Sequence, residues 1–190
     1  MRHTGSKTAL GFLTVRNNEE SGLIGGYLIL NEVGRPLEFH CTAPVKPNRA
    51  QQILFGPTLE PYLYGEQIGQ TLVSKGTATP AVVYTDVPPA LAMRDFVDMP
   101  VALVLAADDR SAEQVSAAAG QPQWRVDRSH RLAGATTFAL GTNRLAVAER
   151  HRGDEKTILN RWQSLDPFDL AEPFERIRDA IAEAQRQSRA

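Results

Sequence analysis

Only one cysteine, Cys41, stands among the 190 residues. That excludes a disulfide framework within the chain and any zinc site built on several thiolates, and it points to a reducing compartment, with the cytoplasm as the expected localisation. Excess charge of either sign is lacking too. Twenty-one Lys and Arg stand against 22 Asp and Glu, a formal net charge of −1, so no global field draws in DNA, RNA or an anionic membrane. Nucleic acid is therefore not expected as a partner, and no membrane association is expected either. No apolar run approaches the roughly 20 residues of a membrane span. Near the N-terminus, the polar segment Arg16 to Ser21 breaks the apolar run too early for a signal peptide.

Motifs that specify a reaction are also missing. The chain contains neither G-x-G-x-x-G nor G-x-x-x-x-G-K-[ST], so no glycine-rich phosphate loop is recognisable. No G-x-S-x-G elbow marks a serine nucleophile. The four histidines, His3, His40, His130 and His151, show no metal-ligand spacing such as H-E-x-x-H, which leaves zinc without support.

What is present is an ordinary globular composition, 42% hydrophobic and 23% charged, enough for one buried core. The pattern predicts an α/β (α+β) fold. A single mixed domain is expected over 1–165, with subregions 9–76 and 79–150, followed by an amphipathic helix over 166–190. Ala9 to Val15, Gly22 to Leu30 and Pro36 to Thr42 read as strands of an antiparallel meander, separated by polar loops and by Gly34. Alternation puts Leu37, Phe39 and Cys41 on one face of the third strand, expected to be buried, and Glu38 and His40 on the other.

Arg49 to Phe55 reads as a short helix, and a central helix is expected from Thr58 to Ser74. Its apolar residues fall on two opposite stripes of a 3.6-residue wheel, Leu59, Tyr62, Leu63 and Val73 against Tyr64, Ile68 and Leu72, so it should lie between layers. Gly65 and Gly69 leave a notch for another backbone. Further on, Pro80 to Thr85 and Val101 to Ala106 read as strands covered on both faces. Helices are expected over Val87 to Phe96 and from Ser111 to Gly120, and a strand over Gln123 to Asp127, making a short β-α-β-α-β sheet. The runs Ala135 to Leu140 and Arg144 to Glu149 read as a closing hairpin, and a helix follows Gly153. Leu170, Phe174, Ile177, Ile181 and Ala184 give the C-terminal helix an apolar stripe that must dock.

Three regions could carry chemistry. Asp86, Asp108, Asp109 and Asp127 follow the carboxyl ends of strands expected to be parallel, the edge where ligands bind in open α/β sheets. Asp86, Asp108 and Asp109 form the candidate metal set, for Mg²⁺ as an alternative to no cofactor at all. A second region, Glu38, His40 and Lys46 with Tyr62, Tyr64 and Glu66, is the candidate ligand pocket. Glu66 falls within an apolar stripe and would need a cation such as His40, Lys46 or Arg49. Basic residues cluster twice, at Arg125, Arg128 and Arg131 beside Trp124 and at Arg144, Arg150 and Arg152; both sets read as solvated strand edges.

With no catalytic constellation in view, the leading expectation is a non-catalytic intracellular module that binds a protein partner or self-associates. Two alternatives accompany it: a Mg-dependent enzyme acting on a phosphate ester, and a small-ligand-binding regulatory domain with its pocket near His40 and Glu66.

Overall fold

The computed structural model describes residues 8–18, 20–106, 134–162 and 169–187. Strands β1 (Leu10–Asn18), β2 (Gly22–Leu30) and β3 (Pro36–Cys41) form the expected antiparallel meander. Short polar side chains shape its turns. Asn18 Oδ1 accepts the N–H groups of Glu20 and Ser21 at 2.9 and 3.1 Å, and Asn31 Oδ1 does the same for Val33 and Arg35. Gly34, at φ 75°, takes the left-handed conformation that the second turn requires.

Helix α1 (Arg49–Phe55) opens on a capping box between Asn48 and Gln51. The central helix α2 (59–75) departs from the expected winding. It begins as an α-turn, Leu59–Pro61, continues as a nine-residue π-helix, Tyr62–Gln70, and closes as an α-helix, Thr71–Lys75. In a π-helix the backbone bonds run from i to i+5, so Leu63 aligns with Ile68. Together with Leu72 they make the buried line, replacing the two stripes of the regular wheel. Glu66 is half-buried as a result. Gly65 does receive another backbone, since a Cβ there would lie 2.8 Å from the Met93 nitrogen, and Gly69 receives the Met93 side chain. That nitrogen belongs to Pro88–Asp95, which winds as a 3-10 helix. Residues three apart eclipse in such a helix, and Ala90 and Met93, three apart, are both fully buried.

Strand β4 (Val82–Thr85) pairs parallel to β1, and β5 (Val101–Leu105) pairs parallel to β4. Strands β6 (Ala135–Leu140) and β7 (Asn143–Ala148) form the expected hairpin, with β7 antiparallel to β5. The result is one seven-stranded sheet of order β3-β2-β1-β4-β5-β7-β6. The expected helix at 111–120 and strand at 123–127 lie outside the described residues, as do Asp108, Asp109, Asp127, His3, His130 and the arginines around Trp124. Helices α3 (Gly153–Trp162) and α4 (Glu172–Gln187) complete the chain's described elements.

Both faces of the sheet are covered. Phe12, Leu28, Tyr84, Ala102 and Val147 pack with Ile158 of α3 and with Phe174, Ile177 and Ile181 of α4. On the other face Leu13, Tyr27, Val83 and Leu103 pack with Leu63, Ile68 and Leu72 of α2 and Met93 of the 3-10 helix. Two successive glycines let both layers touch β2. Ile68 and Leu72 occupy the space a Cβ on Gly25 would need, and Ile177 and Ile181 occupy that of Gly26. Among the described residues, no helix is long and apolar enough to cross a membrane.

Strand β3 overturns one expectation. Leu37 is 51% and Phe39 38% exposed, and Cys41 is exposed. β3 is the edge strand and α4 packs chiefly over β1 and β2, while the register against β2 shifts at Leu37, between the pairs Leu30–Pro36 and Ile29–Glu38. A thiol reagent should therefore label native Cys41 at a rate close to that of the denatured chain, and strong protection would contradict the exposed edge. Helix α4, in contrast, carries the core. Phe174→Ala should cost about 3–5 kcal/mol in urea unfolding, and a loss under about 1 kcal/mol would mean that α4 is not docked as described.

Candidate functional site

Strand β4 ends where Pro88 stops it. The residue before a proline is held extended, as Val87 is at φ −116° and ψ 114°, and the chain then turns into the 3-10 helix. Alternation along β4 sends Val83 and Thr85 toward α2 and Tyr84 toward α4, so Asp86 continues the α4 face. Thr14 does the same on β1, since Phe12 precedes it on that face. The parallel register pairs Leu13 with Thr85, which places Thr14 one rung on, beside Asp86.

Asp86 stands at the boundary of the core. Its side chain is 16% exposed, and its Oδ2 accepts from the guanidinium of Arg178 on α4, which is 45% exposed. The buried Oδ1 has no hydrogen-bond partner among the described residues. Burial pushes the carboxyl up from its ordinary value, while the Thr14 hydroxyl and the Arg178 charge act against that push. Arg16, two residues beyond Thr14 on the same face of β1, is exposed. A partly buried carboxylate, a hydroxyl and the Arg178 guanidinium thus meet just beyond the carboxyl end of β4, the kind of edge where open α/β sheets bind ligands. Sequence reasoning singled out Asp86 and missed its companions Thr14 and Arg178.

The residues expected to form a ligand pocket are distributed over several places. Glu38 and His40 meet at 3.0 Å. The Glu38 carboxylate also accepts the N–H groups of Thr77 and Ala78 at 2.9 and 2.7 Å and the Thr77 hydroxyl, which staples β3 to the loop after α2. Lys46 Nζ donates to the Glu20 carbonyl instead. Tyr62 stacks on Phe55 with ring centroids 4.2 Å apart, Tyr64 packs partly buried in the α2 layer, and Glu66 sits half-buried on the π-helix. Arg150 and His151 both pair with Asp95. Arg94 forks onto Asp154 at 2.7 and 3.3 Å, tying the 3-10 helix to α3. No group of three or more metal-ligating side chains occurs among the described residues.

No family model matches the chain, and no curated protein is similar to it in sequence. Solved structures are similar in fold. Human ENDOV superposes with a TM-score of 0.46 at 14% identity over 98% of this chain and 87% of that one. The catalytic domain of human endonuclease V gives 0.43 at 13% identity, over 97% and 85%. Endonuclease V of Ciona intestinalis, in complex with a 23mer DNA containing an inosine followed by a ribo-adenosine, gives 0.42 at 10% identity, over 76% and 72%. These neighbours correct two expectations: a non-catalytic module for protein interaction or self-association, and a chain for which nucleic acid is not an expected partner. Neither reading is carried further. Likeness of this size extends to fold alone, so no residue's role is taken from it.

The Glu38 staple gives a pH prediction. Its four donors, led by the Thr77 hydroxyl and His40, lower the carboxyl from 4.5 to about 2. A depressed folded-state value means stability that is present above 4.5 and lost as pH falls through the lowered value. Glu38→Gln should therefore flatten the fall in melting temperature on acidification in that window. An unchanged acid limb would show that the staple does not form in solution.

Proposed function

We propose that the Asp86 site binds a divalent cation, Mg²⁺ by its ligand chemistry, and acts on a phosphate ester. The observation that supports this most directly is the Asp86 carboxylate itself, set just beyond the carboxyl end of β4 and beside the middle of β1, with one buried oxygen unpartnered among the described residues. An unsatisfied buried acceptor is costly to keep, and perturbed carboxylates cluster at functional sites. No group of three or more metal-ligating side chains occurs among the described residues, so the cation's other oxygen ligands would come from Asp108, Asp109, water and the substrate. Mg²⁺ prefers oxygen ligands and is commonly held by one or two carboxylates, waters and the substrate's own phosphate.

Each residue then has a task. Asp86 would supply the charged ligand, with the Thr14 hydroxyl beside it on the neighbouring strand. Arg178 presents a planar, permanently charged fork of the kind that pairs with phosphate oxygens. A bound divalent cation would supply charge to a phosphoryl oxygen. Nucleic acids are one class of phosphodiester that this chemistry would accept. Asp108 and Asp109, the other aspartates of the sequence-derived metal set, belong to the same proposal.

Asp86→Asn tests it. With a raised folded-state value, the Asp86 carboxyl contributes its full stability below the ordinary carboxylate range, and that contribution is lost as pH rises through the raised value. Removing the charge at neutral pH should leave the melting temperature equal or higher. Calorimetric binding of Mg²⁺ or Mn²⁺ should disappear, along with hydrolysis across a panel of phosphomonoesters, phosphodiesters and single- and double-stranded nucleic acids. Asp108→Asn and Asp109→Asn should each weaken both. Cation binding that survives in Asp86→Asn would overturn the proposal.

A further inference from the structure

We propose that the open cleft along the amino ends of β1, β4 and β5 is a second binding site, for a small organic ammonium ion that carries a flat apolar body. It lies at the opposite end of the strands from Asp86 and is independent of the phosphate-ester reading. Ala9, Ala81 and Pro100, the residues that precede the three strands, line it. So do the end of α2 and the segment from Phe96 to Met99. At about 660 Å³ the cleft falls within the range of small-ligand sites, roughly 300–1,000 Å³.

The lining selects a ligand that donates hydrogen bonds. Pro80 and Pro100 bring no N–H. The N–H groups of Gly76 and Ala81 are already given to the carbonyls of Val73 and Ala9, at 3.2 and 2.8 Å, and the Ser74 hydroxyl donates to the Thr71 carbonyl at 2.9 Å. Acceptors are left over. The last carbonyls of a helix lack intrahelical partners and form its negative end, and α2 ends at Lys75, between the lining residues Ser74 and Gly76. Asp98 adds a full negative charge and is exposed. Thr8, Gln70 and Thr79 can donate or accept. Among the described lining residues Arg161, on α3, is the one cation, and it already has an interaction of its own. The apolar part of the cleft comes from Phe96, 43% exposed, with Val73, Val97 and Met99. An ammonium group within about 6 Å of an aromatic face is attracted to it. Phe96 and Asp98, two residues apart on one segment, thus suit the two parts of a single ligand.

Three ring compounds that differ in their polar end test this on the full chain, followed through backbone amide shifts: phenethylammonium, phenethyl alcohol and phenylacetate. Phenethylammonium should bind roughly tenfold more tightly than the alcohol, the scale of one charge-assisted hydrogen bond. Phenylacetate should bind more weakly than either, and the shifts should centre on Gly76, Phe96 and Asp98. Asp98→Asn, an exposed substitution that should melt as wild type does, should bring the ammonium compound to the affinity of the alcohol and leave the alcohol's own affinity unchanged. Phe96→Ala should weaken both. Phenylacetate binding as tightly as phenethylammonium would overturn the proposal and assign the cleft to anions through Arg161. Ammonium binding undiminished in Asp98→Asn, or the absence of saturable binding, would also overturn it. So would shifts centred on the exposed Ile53 and Leu54 of α1, which would mark an adventitious apolar contact only.

Discussion

The parallel register of β1 against β4, from Leu10 beside Val82 to Leu13 beside Thr85, determines where the polar groups of the site stand. Parallel neighbours cannot be joined by a tight turn. The chain between them instead forms the β2–β3 hairpin, α1 and α2, and those elements supply one covering layer and one flank of the sheet. Carboxyl ends of both strands then emerge on the same side. Thr14 and Asp86 meet as a consequence of pairing rather than of proximity in sequence, and α4, crossing the same face, brings Arg178 to them.

Covering both faces of the sheet imposes a second requirement, close approach. Gly25 and Gly26 satisfy it on β2, one for each layer, and Gly65 and Gly69 satisfy it between the π-helix and the 3-10 helix. Interiors packed at this closeness move little. The long charged side chains stand at the rim, where Arg178 contacts the core-edge carboxylate.

Much of the fold was legible because it is written locally. Strand β2 and helix α1 have the limits their sequence predicts, since turn residues and proline mark them. The closing hairpin and the docked stripe of α4 were legible for the same reason. Less was legible where a local rule has two outcomes. A 3.6-residue wheel could not disclose a π-helix over Tyr62–Gln70, and alternation could not disclose the register shift at Leu37 or that an edge strand leaves Leu37, Phe39 and Cys41 uncovered.

The site was half legible in the same sense. Asp86 follows an apolar run and announces itself as an acid at a strand end. Thr14 reads as one more β-branched strand residue, and Arg178 as one more charge on the polar side of an amphipathic helix; only the tertiary register joins the three. The central claim, that a cation sits at that junction, is tested most directly by paramagnetic broadening of backbone amide resonances on titration with Mn²⁺. Broadening should begin at Thr14, Thr85, Asp86 and the turn of α4 around Arg178, and should spare β3 and the Glu38 staple. Broadening centred elsewhere, or spread evenly over exposed carboxylates, would contradict it.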